Sequence, residues 1–196
     1  MLKIDGLVLA SSSKYRLALL EQIGVVPGEV VSPNVDESLL RGELPRRYCM
    51  RMARSKADTV AALRSDKFVL GADTVAYCGK RVLSKTESED CAVRYLEMLS
   101  GRRHRVCTAV CLRSPGGMVH ERSVVSVVKF KSMSKGEIEY YISSGQWRGK
   151  AGGYGIQGLA GALISWIQGS YSSIAGLPLH ETYCLLGGYF DLKHIP

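Results

Sequence analysis

The sequence predicts an α/β fold built on a mixed sheet, and three features carry that expectation. Short, bulky apolar runs, Leu7-Val8-Leu9-Ala10 and Phe68-Val69-Leu70, each stop at turn residues and read as buried strands. Stretches with apolar residues at helical spacing lie between and after them. Two longer strand-like runs, residues 106–112 and 119–130, are joined by Ser114-Pro115-Gly116-Gly117, a turn that makes them an antiparallel pair. A length of 196 residues gives room for one α/β domain with a substantial core, undivided or of two lobes. No repeat, low-complexity tract or linker divides it, so residues 1–196 are expected to form a single domain.

Taken in order, residues 7–10 form the first strand and Ser11-Ser12-Ser13 turns into a helix with Leu17, Leu19, Leu20 and Ile23 on its apolar side, ending at Gly24. Ser13 is the expected N-cap. The serine hydroxyls and the unpaired N–H groups of a helix start also make a ready anion site, to which Lys14 and Arg16 add charge. Residues 29–31 form a second strand, and Asn34-Val35-Asp36-Glu37-Ser38 leaves it as an acidic loop. A solvated turn accounts for such a loop, unless Glu37 meets a second carboxylate across a pocket, where the pair would hold Mg²⁺. Residues 45–63 form a long helix with Pro45 in its first turn. Met52, Lys56, Ala57 and Val60 share its spacing, so Lys56 is either a surface lysine or faces the pocket from a small apolar face.

The strand at residues 68–70 is expected to stop at Gly71, leaving Asp73 at the strand's end and facing a cleft. Val75-Ala76-Tyr77 and Arg81-Val82-Leu83 then pair as a hairpin about Cys78-Gly79-Lys80, which returns Lys85 toward Asp73. A capping Asp beside a solvated Lys gives the same local pattern. Used for chemistry, the carboxylate activates water or binds a metal and the ammonium neutralises phosphate. Residues 87–99 form an amphipathic helix over Ala92, Tyr95, Leu96 and Leu99. Arg102-Arg103-His104-Arg105 opens the antiparallel pair, either as a rim of the cleft or as a solvated edge. Residues 137–143 form a short helix. The stretch from Trp147 to Gly158 carries five glycines, which bar a regular helix and allow a ligand close to the backbone. Gln157 in it has both a donor and an acceptor to offer a base edge. Residues 162–167 and 171–175 are expected to be closing strands, and Leu177-Pro178-Leu179 starts a last helix.

Composition sets the compartment and the partner. Apolar residues at 46% and charged residues at 22% are ordinary for a soluble protein. No apolar run approaches the roughly 20 residues that span a bilayer, and no leader pattern opens the chain, so the expected location is cytoplasmic, without a membrane partner. The six cysteines form no C-x-x-C pair and read as reduced thiols. A formal charge of +8 favours an anionic partner. The basic residues are not interleaved with stacking aromatics, which argues against nucleic acid.

Read together, the motifs resemble those of the Maf, or septum-formation, proteins, which are nucleoside triphosphate pyrophosphatases. Leu9-Ala10-Ser11-Ser12-Ser13 with Arg16, Val35-Asp36-Glu37-Ser38, Lys56-Ala57, Gly71-Ala72-Asp73-Thr74, Leu83-Ser84-Lys85, Leu99-Ser100-Gly101 with His104 and Thr108, Gly149-Lys150-Ala151-Gly152, Ile156-Gln157-Gly158 and Gly176-Leu177-Pro178-Leu179 stand in the family's order over nearly the whole chain. The resemblance implies one elongated, two-lobed α/β domain similar to the inosine triphosphatase fold, with the active site between the lobes. It implies hydrolysis between the α- and β-phosphates, a divalent metal (Mg²⁺ or Mn²⁺), and a homodimer as a family-level expectation. The roles it implies are Asp73 as base, with Lys56 and Lys85 as the other catalytic groups and Glu37 with Asp73 as metal ligands. Ser11, Ser13, Lys14, Tyr15, Arg16, Thr74 and Gln157 are left to hold substrate. An ordinary aspartate is a weak base at neutral pH, so the metal is expected to share the activation of water.

The departures bear on specificity. The family's usual Ser-Pro-Arg-Arg reads Ser13-Lys14-Tyr15-Arg16, and an aromatic at Tyr15 resembles the branch acting on 7-methyl-GTP. Thr74 and the block from Lys150 to Gly158 resemble instead the branch acting on dTTP and UTP. The usual Lys-Pro is Lys85-Thr86. Two rivals stand beside this reading. A non-catalytic, nucleotide- or nucleic-acid-binding regulator of septation would have no need of Glu37 and Asp73. A haloacid-dehalogenase-type phosphatase would want a second Asp at Val75.

Overall fold

The computed structural model describes residues 1–192. Seven strands form one mixed sheet: β1 (Leu2–Ala10), β2 (Val25–Val31), β3 (Phe68–Cys78), β4 (Arg81–Leu83), β5 (Arg103–Arg113), β6 (Val119–Phe130) and β7 (Ile164–Gln168). Six helices pack on it: α1 (Lys14–Gln22), α2 (Pro45–Ala61), α3 (Glu89–Leu99), α4 (Lys135–Ser143), α5 (Tyr171–Ala175) and α6 (Leu179–Gly187). The strand order is β2-β1-β3-β5-β6-β7, with β4 also against β3. β1 is parallel to both β2 and β3, and the remaining pairs are antiparallel.

β3 organises the molecule. One of its edges pairs with β5 from Val69 to Tyr77. Its other edge pairs with β1 from Phe68 to Gly71, then with β4 from Ala76 to Cys78. Between those two partners residues 72–75 have no strand beside them, and the sheet opens there. Because β1 lies between β2 and β3, the chain reverses direction across the sheet at β1, the position where parallel α/β sheets form a crevice at their strand ends. Asp73 is therefore not at the end of a strand, as expected from Gly71, but in the middle of one. Gly71 does not terminate β3, because pairing with β5 continues past it from Ala72 to Tyr77.

Alternation along β3 divides the core. Leu70 and Ala72 pack with Leu19 and Leu20 of α1 and Leu185 and Leu186 of α6. Ala76, on the same face, packs in a second cluster with Leu96 and Leu99 of α3 and Ile138 and Ile142 of α4. Thr74 falls between the two clusters, which are the two lobes. On the opposite face Val69, Val75 and Tyr77 meet Cys49, Met52, Ala53, Ala57 and Val60 of α2. Asp73 shares that face, since side chains one residue apart on a strand point to opposite sides.

The close fit of α2 to β3 depends on Gly71. A Cβ there would collide with the Ala53 carbonyl oxygen and lie 2.8 Å from the Ala57 nitrogen, both backbone atoms that cannot turn aside. Gly71→Ala is expected to cost about 2 kcal/mol through overpacking. For a chain of this size that lowers Tm by roughly 4–8 °C in thermal unfolding followed by circular dichroism.

Local signals explain most boundaries. Ser13 caps α1, its Oγ accepting from the Arg16 N–H at 3.4 Å. Pro45 sits in the first turn of α2. α4 starts two residues before the expected position because Ser134 and Glu137 form a capping box. β1 begins earlier than expected, at Leu2, with Lys3 and Asp5 paired on its exposed side. β7 is preceded by a 3₁₀ turn at Leu159–Leu163. The expected strand at residues 171–175 is instead the helix α5, capped by Ser170, whose Oγ accepts from the Ser173 N–H at 3.1 Å. All six cysteines are free thiols. No helix among the described residues is long and apolar enough to cross a membrane.

Candidate active site

A cavity of about 510 Å³ opens between the lobes at the gap beside β3, within the range typical of ligand pockets. Its lining comes from both lobes: the turn and start of α1 (Ser11 to Arg16), Glu37, Lys56, Thr74 and Lys85, and the glycine-rich segment with Arg148, Lys150, Tyr154 and Gln157. Six basic side chains line it (Lys14, Arg16, Lys56, Lys85, Arg148 and Lys150) against one acid, Glu37. Every residue expected at the site lines the cavity except Asp73.

Asp73 is 2% exposed and lies beneath Lys56. The Lys56 ammonium, on α2, is 2.5 Å from Asp73 Oδ1 and 2.7 Å from Glu37 Oε1. Lys85 Nζ reaches the same Glu37 from β4's side, donating at 2.8 and 3.1 Å to its two oxygens. The expected meeting of Glu37, Asp73 and Lys85 is thus realised through Lys56, a buried ion-paired residue and not a surface lysine. Half-burial pushes the Glu37 carboxyl up, but hydrogen bonds from Lys56 and Lys85 and their charges outweigh it and hold it at about 2. Glu37 is ionised at neutral pH, and its contribution to stability is lost only as pH falls from about 4.5 toward about 2.

Glu37 comes from a loop without regular structure, and α2 fixes that loop. Tyr48 donates its hydroxyl to the Glu37 carbonyl at 2.7 Å. Arg51 grips Glu43 with two bonds, 2.6 and 2.7 Å, and donates to the Ser38 carbonyl at 2.9 Å. Burial, with the charges of Asp73 and Glu37 nearby, pushes the Tyr48 phenol up to about 12, so it remains a donor.

Arg16 anchors the opposite wall. Its Nε donates to the Gly176 carbonyl at 2.9 Å, Nη1 to Ser11 Oγ at 3.2 Å and Nη2 to Thr74 Oγ1 at 3.2 Å. Thr108 lies 2.6 Å from the Ser173 carbonyl and 3.0 Å from Thr74 Oγ1. A carbonyl only accepts, so the single Thr108 proton goes to Ser173 and Thr74 donates to Thr108. Thr74 is consequently a link in the chain that holds Arg16. Burial pulls the Arg16 guanidinium down, opposed by the charges of the Asp73 and Glu37 carboxylates. Among the described residues no carboxylate pairs with it directly. A buried cation with only neutral partners is costly and is a strong attractor for an anion.

The glycine-rich segment closes the far side. Gly152 and Gly153 both have φ of +70°, which lets the chain fold back on itself there. Lys150 lies with Nζ 4.5 Å from the centre of the Tyr15 ring, so the two lobes touch across the mouth.

The Maf-like protein family matches residues 6–189. The chain belongs to the Maf family. It is 95% identical to a nucleoside triphosphate pyrophosphatase of Anaplasma marginale (strain St. Maries) over 196 residues, all of both chains. It is 69% identical to one of Anaplasma phagocytophilum (strain HZ), covering 98% of this chain and 100% of that one. A dTTP/UTP pyrophosphatase of Wolbachia pipientis wMel is 52% identical, with 97% and 96% covered. Among solved structures, a dITP/XTP pyrophosphatase from Mycobacterium abscessus has 15% identity, a TM-score of 0.46, and coverage of 100% of this chain and 98% of that one.

Several residues of this Maf protein's site carry no role in the sequence reading. Tyr48 and Arg51, eight and five residues before Lys56 on the same helix, position the Glu37 loop and look like ordinary helix residues. Thr108, Ser173 and Gly176 hold Arg16 from residues far apart in the chain. His104 and Tyr154 form a buried pair, 2.7 Å between Nε2 and the hydroxyl, behind the cavity wall. Only the positions of His104, Thr108 and Gly176 in family motifs hint at them.

Proposed function

We propose that this protein hydrolyses nucleoside triphosphates between the α- and β-phosphates, giving a nucleoside monophosphate and pyrophosphate, in the cavity between its lobes. The observation that carries the reading is the pairing of a six-cation lining with two carboxylates gathered on one ammonium. Cations alone bind phosphate; the carboxylates add the means to activate water.

The phosphates lie against Arg16 and the start of α1, where N–H groups and the helix dipole favour negative charge. Lys14, Arg148 and Lys150 screen them further. Lys56 and Lys85 stabilise the charge that develops on the departing pyrophosphate, in a site partly closed to water. Asp73 orients the attacking water and takes its proton.

The donor set fits a divalent metal. Mg²⁺ and Mn²⁺ are held by one or two carboxylates, and Mg²⁺ usually completes its shell with waters and substrate phosphates; no group of three ligating residues converges among the described residues. Glu37 and Asp73 would hold the ion, which when bound polarises a phosphoryl oxygen and acidifies water.

The base is read at the mouth, where Tyr15 and Gln157 both line the cavity. Tyr15 stacks on the base and Gln157 bonds its edge. Thr74 and the block from Lys150 to Gly158, which also contribute to the cavity lining, carry the likeness to the dTTP/UTP branch and agree with the name of the Wolbachia relative. One observation favours 7-methyl-GTP as a second reading: the Tyr15 ring already faces the Lys150 ammonium, and a cationic base would take that place. A screen of ordinary and modified nucleoside triphosphates, measuring pyrophosphate and orthophosphate separately, tests both. Pyrophosphate release supports the proposal, and orthophosphate alone refutes it. Gln157→Ala is expected to change the ratio of kcat/KM between pyrimidine and purine substrates by about tenfold, the worth of one or two hydrogen bonds. An equal loss on every nucleotide would make Gln157 a structural or phosphate-binding residue.

A further inference from the structure

We infer that Lys56 is the resident cation of the nucleotide-free site: its ammonium fills the place between Glu37 and Asp73 that a divalent metal takes, so metal joins these carboxylates only once a triphosphate draws Lys56 away. The inference rests on the assignment of Glu37 and Asp73 as metal ligands, made above.

Three observations support it. The Lys56 nitrogen is in direct contact with both carboxylates, 2.7 Å from Glu37 Oε1 and 2.5 Å from Asp73 Oδ1. Metal–oxygen distances for Mg²⁺ are about 2.1 Å, so an ion sharing both oxygens would occupy nearly the same volume as the ammonium. The two cations exclude one another by size and by charge. The Lys56 side chain is also only 6% exposed, so in the unliganded protein it has no solvated alternative. A lysine this deep is normally held by its counter-charges.

The release is built into the same geometry. Lys56 lines the cavity and Asp73 does not, so the ammonium stands between the buried carboxylate and any phosphate that arrives. A triphosphate brings several negative charges to it from the open side. Lys56 then exchanges carboxylate for phosphate, and Lys85, whose side chain is 41% exposed and bonded to Glu37, follows. Metal and nucleotide binding are thereby coupled, and the coupling is reciprocal. The arrangement keeps the nucleotide-free protein from holding a bare metal ion at the water-activating position.

The test is Mn²⁺ binding to the full-length protein without nucleotide, read from the free-ion signal in electron paramagnetic resonance. Lys56→Met, which keeps the length and removes the charge, is expected to bind one Mn²⁺ at least about tenfold more tightly than wild type, within the usual range of coupling between sites. Adding Glu37→Gln to that variant should abolish the gain. Equal affinity of wild type and Lys56→Met overturns the inference. Gain of Mn²⁺ binding that survives Glu37→Gln overturns it too, by removing the metal assignment beneath it. Should Lys56→Met fail to fold, wild type and Glu37→Gln decide: tight, Glu37-dependent Mn²⁺ binding without nucleotide overturns the inference, and weak binding that a non-hydrolysable triphosphate strengthens about tenfold beyond the chelation by the nucleotide alone, with that gain lost in Glu37→Gln, supports it. Pyrophosphate release by wild type is measured separately, so loss of the proposed function and loss of this mechanism are told apart.

Discussion

Asp73→Asn is expected to lower kcat by about 10²–10⁴-fold, the range lost when a positioned proton acceptor is removed. The substitution keeps the shape of the side chain and leaves an oxygen to accept from Lys56, which stays paired with Glu37 at 2.7 Å. Circular dichroism should therefore be unchanged. Binding of a non-hydrolysable triphosphate in the absence of divalent metal, by calorimetry, should be equal or tighter, because a buried negative charge beneath the phosphates has gone. A large loss in kcat with affinity retained places Asp73 in the reaction itself. A decrease of less than about threefold, or a loss of binding equal to the loss of turnover, would remove Asp73 from its proposed role.

The same residue shows how far the sequence could be read. Its chemistry was legible from Gly71-Ala72-Asp73-Thr74 and the return of Lys85, but its position was not. Gly71 reads as the end of the strand because a glycine usually weakens one. Here it serves the approach of α2, whose Ala57 nitrogen lies 2.8 Å from where a Cβ would be. That contact joins positions 14 residues apart in sequence through the fold, and no local pattern contains it. Lys56 illustrates the same limit. At helical spacing it looks like any lysine, and only the convergence of α2, β3 and the Glu37 loop makes it the link between two carboxylates.

Signals that act within a turn are legible in the sequence: the Ser13 cap, Pro45 at the start of α2, and the β5–β6 pair about Ser114 to Gly117. Residues 171–175 are a helix where a strand is expected, because five residues are too few to show a helical period. The error hid part of the site, since the carbonyls of Ser173 and Gly176 at this helix organise Thr108 and Arg16. The six-cation lining was also dispersed. Lys14 and Lys150 are far apart in the chain and meet only across the cleft.

Acidification from pH 6.5 to 4.5 is expected to destabilise the protein chiefly through one residue, His104. Its ring is 3% exposed, Nε2 meets the Tyr154 hydroxyl at 2.7 Å, and Nδ1 has no partner. Protonation would create a buried charge and a donor at Nδ1 with nothing to accept it. Burial accordingly lowers the imidazole from 6.5 to about 4. The unfolded chain takes up the proton below about 6.5 and the folded chain only below about 4, so the unfolded state binds more protons in that window and stability falls as pH falls. The full effect is about 3 kcal/mol, reached near pH 4, or roughly 10 °C in Tm. Glu37 acts in a lower window, from about 4.5 to about 2, so the two are separable. Urea unfolding between pH 7 and 4.5 should show the decline in wild type and a flatter dependence in His104→Gln, whatever that variant's stability at neutral pH. A slope unchanged by the substitution would show that the proton enters elsewhere. Because Tyr154 lines the cavity and rests on this histidine, the same acidification should loosen the wall of the site before the sheet beneath it unfolds.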